Sequence, residues 1–304
     1  MGPLDLVQLT ALMDRTSGRP EISIGLIDGP VVLNQPDLVS TNISEVPGKL
    51  RGTCSRADSV ACSHGTFVAG ILSARRGSVA PAICPGCTLL LRPIFAETAS
   101  GDGLMPSATP EQLAEALVDC VDSGARLLNL SAALVEPSSQ GERRLHEALD
   151  YAASRGAITV AAAGNQGTVG SSAITRHPAV IPVAACDLEG RPLNESNFGS
   201  SIGRRGLMAP GVDITSIGTN GRPKTFGGTS AAAPFITGAI ALLWSEFQEA
   251  RAAELKLAIT RSGRQSRSTV VPPVLDAWGA FETLRGTSSP RSKLSHGIIV
   301  AHSG

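Results

Sequence analysis

Four residues of this 304-residue chain have types and settings suited to acyl-group chemistry: Asp28, His64, Asn165 and Ser230. A carboxylate, an imidazole and a hydroxyl can together make a nucleophile, and an amide N–H can stabilise the oxyanion that its attack creates. Asp28 directly follows the apolar run at 22–27 and precedes Gly29-Pro30; alone it reads first as a turn residue. His64 lies in Ser63-His64-Gly65-Thr66-Phe67-Val68-Ala69-Gly70-Ile71-Leu72. Ser63 is a candidate N-cap there, and Phe67, Val68, Ile71 and Leu72 make a buried helical stripe. This puts His64 in the first helical turn, with Gly65 allowing another stretch of chain to approach. A lone histidine is more often an ordinary hydrogen-bonded residue. Ser230 stands in Gly227-Gly228-Thr229-Ser230-Ala231-Ala232-Ala233-Pro234, ahead of an apolar helix reaching about Trp244. It is either a helix cap or an accessible hydroxyl beside N–H groups that form half of an oxyanion site. Asn165 ends the run Thr159-Val160-Ala161-Ala162-Ala163-Gly164-Asn165, as a turn residue or as an oxyanion donor. The order Asp28, His64, Ser230 is one of those known for a Ser–His–Asp triad.

The elements that must position these residues alternate. Apolar runs at 22–27, 88–94, 126–131, 157–162 and 179–185 have the length and the Ile, Leu and Val content of strands buried on both faces. Between them Leu113, Leu117 and Val121 follow Pro110 at helical spacing, as do Leu145, Leu149 and Ala152, with Gly124 and Gly156 at C-cap positions. Such alternation predicts an α/β fold: a mostly parallel sheet with helices on both faces, and ligands beyond the carboxyl ends of the strands. Residues 1–19 read as a lead-in with one amphipathic helix around 4–13, residues 20–285 as one domain, and residues 286–304 as a Ser-, Gly- and base-rich tail.

The charge balance, 26 Lys+Arg against 26 Asp+Glu, argues against a nucleic-acid or anionic-membrane surface. The most apolar stretch, 231–244, is too short to span a bilayer, and no secretory signal opens the chain, so a cytoplasmic setting is expected. Six cysteines are too sparse for a disulfide scaffold. Cys54 and Cys62 with Cys84 and Cys87 would hold zinc only if the fold gathered them; buried thiols with one local disulfide is the favoured reading. No metal and no cofactor are expected.

The motifs ID-G at 27–29, HGT-x-VAG at 64–70, AAAGN at 161–165 and GTS-x-A-x-P at 228–234 resemble those of the subtilisin-like serine proteases, over about residues 20–285. The resemblance implies a three-layer subtilisin-like fold and a serine endopeptidase working through an acyl-enzyme. It makes Ser230 the nucleophile, His64 the general base and then acid, and Asp28 the group that fixes the imidazole tautomer. The Asn165 side chain and the Ser230 N–H would form the oxyanion hole. A peptide substrate would add as an extended strand beside Leu130-Ser131-Ala132-Ala133, and Ala163, Gly164 and Gln166 would line the specificity pocket. Asp102, Glu97 and Glu111 would add acidity near the channel.

The sequence Asp28-Gly29-Pro30-Val31 departs from the usual D-[ST]-G and is similar to the cyanobactin-maturation proteases, which process ribosomal precursor peptides. The lead-in, the cysteine-bearing stretch before residue 88 and Val271-Pro272-Pro273-Val274-Leu275-Asp276 resemble that group too. Cleavage of a leader or recognition sequence is therefore the implied task. Phe235 replaces the family's usual His. The segment after the His64 helix lacks the oxygen ligands calcium needs, and Asp37 alone is not a site. About 27 residues precede Asp28, too few for an inhibitory pro-domain. Two other classes stay in view: a transpeptidase or macrocyclase, which would carry an added helical insertion not seen here, and a non-catalytic peptide-binding pseudoprotease, which commonly lacks one of the four chemical residues. Oligomeric state is not readable.

Overall fold

Short, wholly apolar runs are stable as strands only where both faces are covered, and the chain meets that condition with one parallel sheet. The structure is a computed structural model describing residues 2–38, 40–97, 107–131, 139–263 and 269–288. Seven strands form the sheet: β1 Ser23–Ile27, β2 Ile43–Glu45, β3 Thr88–Leu91, β4 Leu127–Leu130, β5 Ile158–Ala162, β6 Val180–Cys186 and β7 Leu207–Pro210. Their order is β2-β3-β1-β4-β5-β6-β7 and every adjacent pair is parallel; Ile24 lies opposite Leu89 on one side and Leu127 on the other. The chain leaves β1 toward β2 and β3, then returns to add β4 on the other edge of β1. The topological switch therefore falls between β1 and β4, and Asp28 and Ser131 stand just beyond their carboxyl ends. β8 Ile214–Ile217 and β9 Pro223–Phe226 make a separate antiparallel hairpin.

The helices are α1 Pro3–Leu6, α2 Thr10–Arg15, α3 Val60–Ser73, α4 Pro110–Asp122, α5 Ser139–Ser154, α6 Ala173–Arg176, α7 Ser200–Arg205, α8 Thr229–Glu246, α9 Ala252–Arg261 and α10 Ala277–Ser288. Strand alternation divides the core. Ile24, Leu26, Leu127, Val160 and Ala162 pack toward α2, α3, α8, α9 and α10, whereas Ile27, Leu128, Leu130 and Ala161 pack toward α4 and α5. This is the expected three-layer arrangement. Helix α8 is apolar all round because it is covered all round: it crosses β4 to β7 and is capped from outside by α3 and α9. Phe235 is wholly buried in it.

Several sequence expectations change in detail. The lead-in is two short helices, not one, because Gln8 takes a positive φ of 54° between them and lets Val7 and Leu9 both enter the core. The Val7 carbonyl accepts the Ala277 N–H at 3.0 Å, tying this segment to α10. The strand expected over 88–94 ends at Leu91. Arg92 and Ile94 N–H groups still bond the Leu26 and Asp28 carbonyls at 3.0 and 2.8 Å, while Pro93 between them has no N–H to donate. β2, β7 and the β8–β9 hairpin were not foreseen. Residues 273–275 pair with Met208, extending the sheet's far edge. The expected tail lies, from residue 289 on, outside the described residues. No helix among the described residues is long and apolar enough to cross a membrane.

One polar side chain of β4 faces α8. Asn129, wholly buried, donates to Ser131 Oγ at 2.9 Å and accepts from Thr237 Oγ1 at 2.7 Å. Thr237→Val keeps the shape but strips Asn129 Oδ1 of its donor. A loss of about 1–3 kcal/mol is expected, read as a lower urea midpoint with an unchanged slope.

Candidate active site

The site grows from the ends of β1, β4 and β5 and the start of α8. Asp28 has no exposed surface, and its Oδ1 meets His64 Nδ1 at 2.7 Å and the Gly29 N–H at 2.6 Å. Its Oδ2 is buried without a partner among the described residues. A carboxylate on Nδ1 holds the proton there and leaves Nε2 as the acceptor. Burial alone would push the His64 pKa down. The charge of Asp28 and the hydrogen bond to it together outweigh burial and hold the pKa above the usual histidine value. The Phe226 ring of β9 closes one side, its centroid 6.0 Å from that of His64.

His64 is not in the first turn of its helix. The helix begins at Val60 with Ser59, not Ser63, as N-cap, so His64 is its fifth residue. The extra turn is tied down by a disulfide between Cys54 and Cys62, whose Cα atoms are 5.7 Å apart. The expectation about Gly65 holds: a Cβ there would meet the Pro30 carbonyl oxygen at 2.6 Å and that of Gly29 closer still. Gly29 in turn lies against the Ala61 carbonyl. Helix α3 thus rests directly on the backbone of the Asp28 turn, which explains Gly at position 29.

Ser230 is the second residue of α8 and is partly exposed. The first helical N–H groups have no partners inside a helix. That of Thr229 is taken by Asn165 Oδ1 at 2.8 Å, while that of Ser230 has no acceptor among the described residues. With Oδ1 so committed, Asn165 presents its Nδ2 donors outward. Gly228 has φ 88°, and a Cβ on it would crowd the Asn165 amide at 2.8 Å, so glycine is required on both counts. Pro234 cannot donate the helix hydrogen bond that the Ser230 carbonyl would normally accept. Ser131 Oγ reaches that carbonyl instead, at 3.4 Å.

Three positioning residues were missed in the sequence. Thr229, wholly buried, also donates through Oγ1 to Asn165 Oδ1 at 3.1 Å and accepts the Gly164 N–H at 3.1 Å. Asn197 accepts the Gln166 and Thr168 N–H groups at 3.0 and 3.1 Å and donates to the Ala163 carbonyl at 3.2 Å. Asn129 supports Ser131. Only Thr229 carried a signal, its place beside Ser230.

The remaining candidates divide. Ala163 and Gly164 are buried at the end of β5, and Gln166 is exposed with Oε1 held by Asn197 at 2.7 Å. Leu130 points its side chain into the α4–α5 core, leaving only its backbone toward the site. Ala132, Ala133 and Asp102 lie outside the described residues. Glu97 binds the Ser55 N–H at 2.7 Å beside the disulfide, and Glu111 sits in the first turn of α4. Cys54, Cys62 and Glu97 are the one group of potential metal ligands that converges among the described residues, but its sulfurs are joined to each other. Cys84 and Cys87 are buried free thiols outside that group, so no four-thiolate set forms among the described residues.

A model of the subtilase family matches residues 19–279. The chain belongs to the subtilase family. This subtilase is 34% identical over 186 residues to a thermophilic serine proteinase of Bacillus sp. (strain AK1), covering 60% of its own length and 43% of the relative's. It spans about half the length of the first curated relatives it matches. Among solved structures it is similar to the prenylagaramide maturation protease PagA, with 27% identity and a TM-score of 0.80 over 91% of this chain and 98% of that one. It is also similar to the patellamide maturation protease PatA, with 29% identity and a TM-score of 0.73 over 88% and 98%.

The contact between α3 and the Asp28 turn sets a direct test. Gly65→Ala is expected to push the helix off Gly29 and Pro30, lengthening the Asp28–His64 contact. Activity should fall far more than stability, measured as kcat/KM beside the thermal midpoint; unchanged kinetics would refute this packing.

Proposed function

We propose that this subtilase is a serine endopeptidase in which Ser230 is the nucleophile, His64 the base and Asp28 its orienting carboxylate. The observation that carries the reading is the buried Asp28–His64 pair beside a helix start where two N–H donors, Ser230 N and Asn165 Nδ2, have no acceptor among the described residues. Donors arranged in advance and not satisfied by the fold are what a developing oxyanion needs. In the reaction Ser230 Oγ attacks the peptide carbonyl carbon while His64 Nε2 takes its proton. The oxyanion forms against Asn165 and the Ser230 N–H. The C–N bond then breaks with the proton passing from His64 to the leaving amine, and water repeats the cycle to release the acid. Ser230 Oγ makes no hydrogen bond to His64 among the described residues, so substrate binding draws the two together.

The peptide is proposed to lie extended along the segment that begins at Leu130 and Ser131, with Ala163, Gly164 and Gln166 across the pocket. Likeness to PagA and PatA over nearly their whole chains supports a ribosomally made precursor peptide as substrate, cut at its leader or recognition sequence.

A fluorophosphonate should add once per chain by intact mass, and Ser230→Ala should abolish the adduct; no adduct on folded protein would end the assignment. Asn165→Ala should lower kcat about 10²–10³-fold with little change in KM. Because the base must be neutral, kcat/KM should fall as pH drops through the His64 pKa, with a midpoint above the usual 6.5. In Asp28→Asn burial remains while the raising influences are lost, so that midpoint should move to lower pH and kcat should collapse. A midpoint that stays in place would remove Asp28 from the mechanism.

A further inference from the structure

Two chain segments meet beside Asn165 and are tied together through their backbones. The Asn197 N–H bonds the Gly164 carbonyl at 2.9 Å, the Gly167 N–H that of Glu195 at 2.8 Å, and the Phe198 N–H that of Thr168 at 2.9 Å. Gly167 turns the chain there with a positive φ of 61°. This wall borders the reacting bond. A carbonyl whose oxygen lies against Asn165 belongs to the substrate residue on the acid side of the cut. The side chain of that residue branches from the very next atom, so it falls against the segment that carries Asn165.

Within the wall the orientation of one exposed amide, that of Gln166, follows from groups that admit no alternative. The Gln166 and Thr168 N–H groups can only donate. The Asn197 atom they meet, at 3.0 and 3.1 Å, is therefore its oxygen. The other end of that amide is Nδ2, which gives one hydrogen to the Ala163 carbonyl at 3.2 Å. It gives the second to Gln166 at 2.7 Å, which makes the receiving atom Oε1. Gln166 Nε2 is left with two N–H donors and no acceptor among the described residues.

Donors of this kind select by what a substrate side chain can offer them. Glu195 is the one charged residue on segments 163–168 and 194–198. A substrate carboxylate would find no cation in this wall. Lysine and arginine bring only donors to meet donors. An apolar side chain covers Nε2 without giving it an acceptor. A neutral side chain that carries an oxygen satisfies it.

We propose that Gln166, oriented by Asn197, selects a neutral, oxygen-bearing residue (Gln, Asn, Ser or Thr) on the acid side of the cut bond. Gln166 touches the substrate, and Asn197 is a positioning residue acting through it. The proposal rests on the roles given to Ser230 and Asn165, and the fluorophosphonate adduct, measured first, reports on those roles alone. Cleavage by the full chain is then compared in peptides identical except for Gln, Met, Lys or Glu before the bond. Met matches Gln in length and lacks the oxygen. The kcat/KM for the Gln peptide should exceed that for Met about five- to tenfold, the yield of one neutral hydrogen bond. Lys and Glu should also lie below Gln.

Gln166 is exposed, so its variants keep the fold, which a thermal melt checks. In Gln166→Met the preference for Gln over Met should disappear. In Gln166→Glu, Asn197 still holds one oxygen and the other now accepts, so the Lys peptide should become the best. Asn197→Ala frees the Gln166 amide to turn and should erode the same preference, whereas a merely structural role would slow every peptide alike. A chain that carries the adduct and prefers Met, Lys or Glu overturns the proposal. So does a preference for Gln over Met that survives Gln166→Met or Asn197→Ala undiminished.

Discussion

A carboxylate with no exposed surface is tolerable only beside a group that repays its lost hydration. Asp28 meets that requirement with His64, 2.7 Å away, and much of the architecture follows from bringing the two together. One residue caps a strand at the middle of the sheet, and the other lies inside a helix 36 positions later. The helix can reach the strand end only by resting on bare backbone, so Gly29 and Gly65 face each other's chains. The disulfide at the start of α3 and the Phe226 ring beside His64 hold the helix from two further sides.

The other half of the site is made by leaving hydrogen bonds unmade. A helix start always has spare N–H groups, and the fold disposes of them selectively. Asn165 takes the first through Oδ1, which fixes its own amide and turns the Nδ2 donors outward. The next, on Ser230, is left. At the same place Pro234 removes the partner of the Ser230 carbonyl, and Ser131, held by Asn129 and through it by Thr237, supplies one from the neighbouring strand. A chain of buried polar contacts thus runs from the middle of α8 back to its own first turn by way of β4.

The sheet's ends differ in what they leave unpaired. Beyond its carboxyl ends stand a buried carboxylate–imidazole pair and donors without acceptors among the described residues, suited to a transient oxyanion. At its amino ends the last carbonyls of α4 and α5 are taken by the N–H groups of residues 123–125 and 155–157, so each helix closes on itself before the next strand begins. The two ends share β4 and β5, whose buried side chains leave little freedom for either to shift alone.

Strands β1, β3, β4, β5 and β6 were legible because short apolar runs rich in Ile, Leu and Val and bounded by turn residues suit buried strands. α4 and α5 were legible from their helical period, and Asp28, His64, Asn165 and Ser230 from motifs around them. β2 and β9 were not: they are short and largely exposed, and carry no apolar run. The start of α3 was misplaced because Ser63 is a good cap by type, and only the Cys54–Cys62 link and the burial of Ala61 and Cys62 extend the helix past it. Asn129 and Asn197 could not be singled out, since an Asn gains its meaning from partners distant in the chain, and Thr229 offered only its place beside Ser230. Local pattern determined the main elements and which residues carry groups capable of acyl-transfer chemistry. Only tertiary contact decided which donors and charges remain unpaired, because that depends on what every other group has already taken.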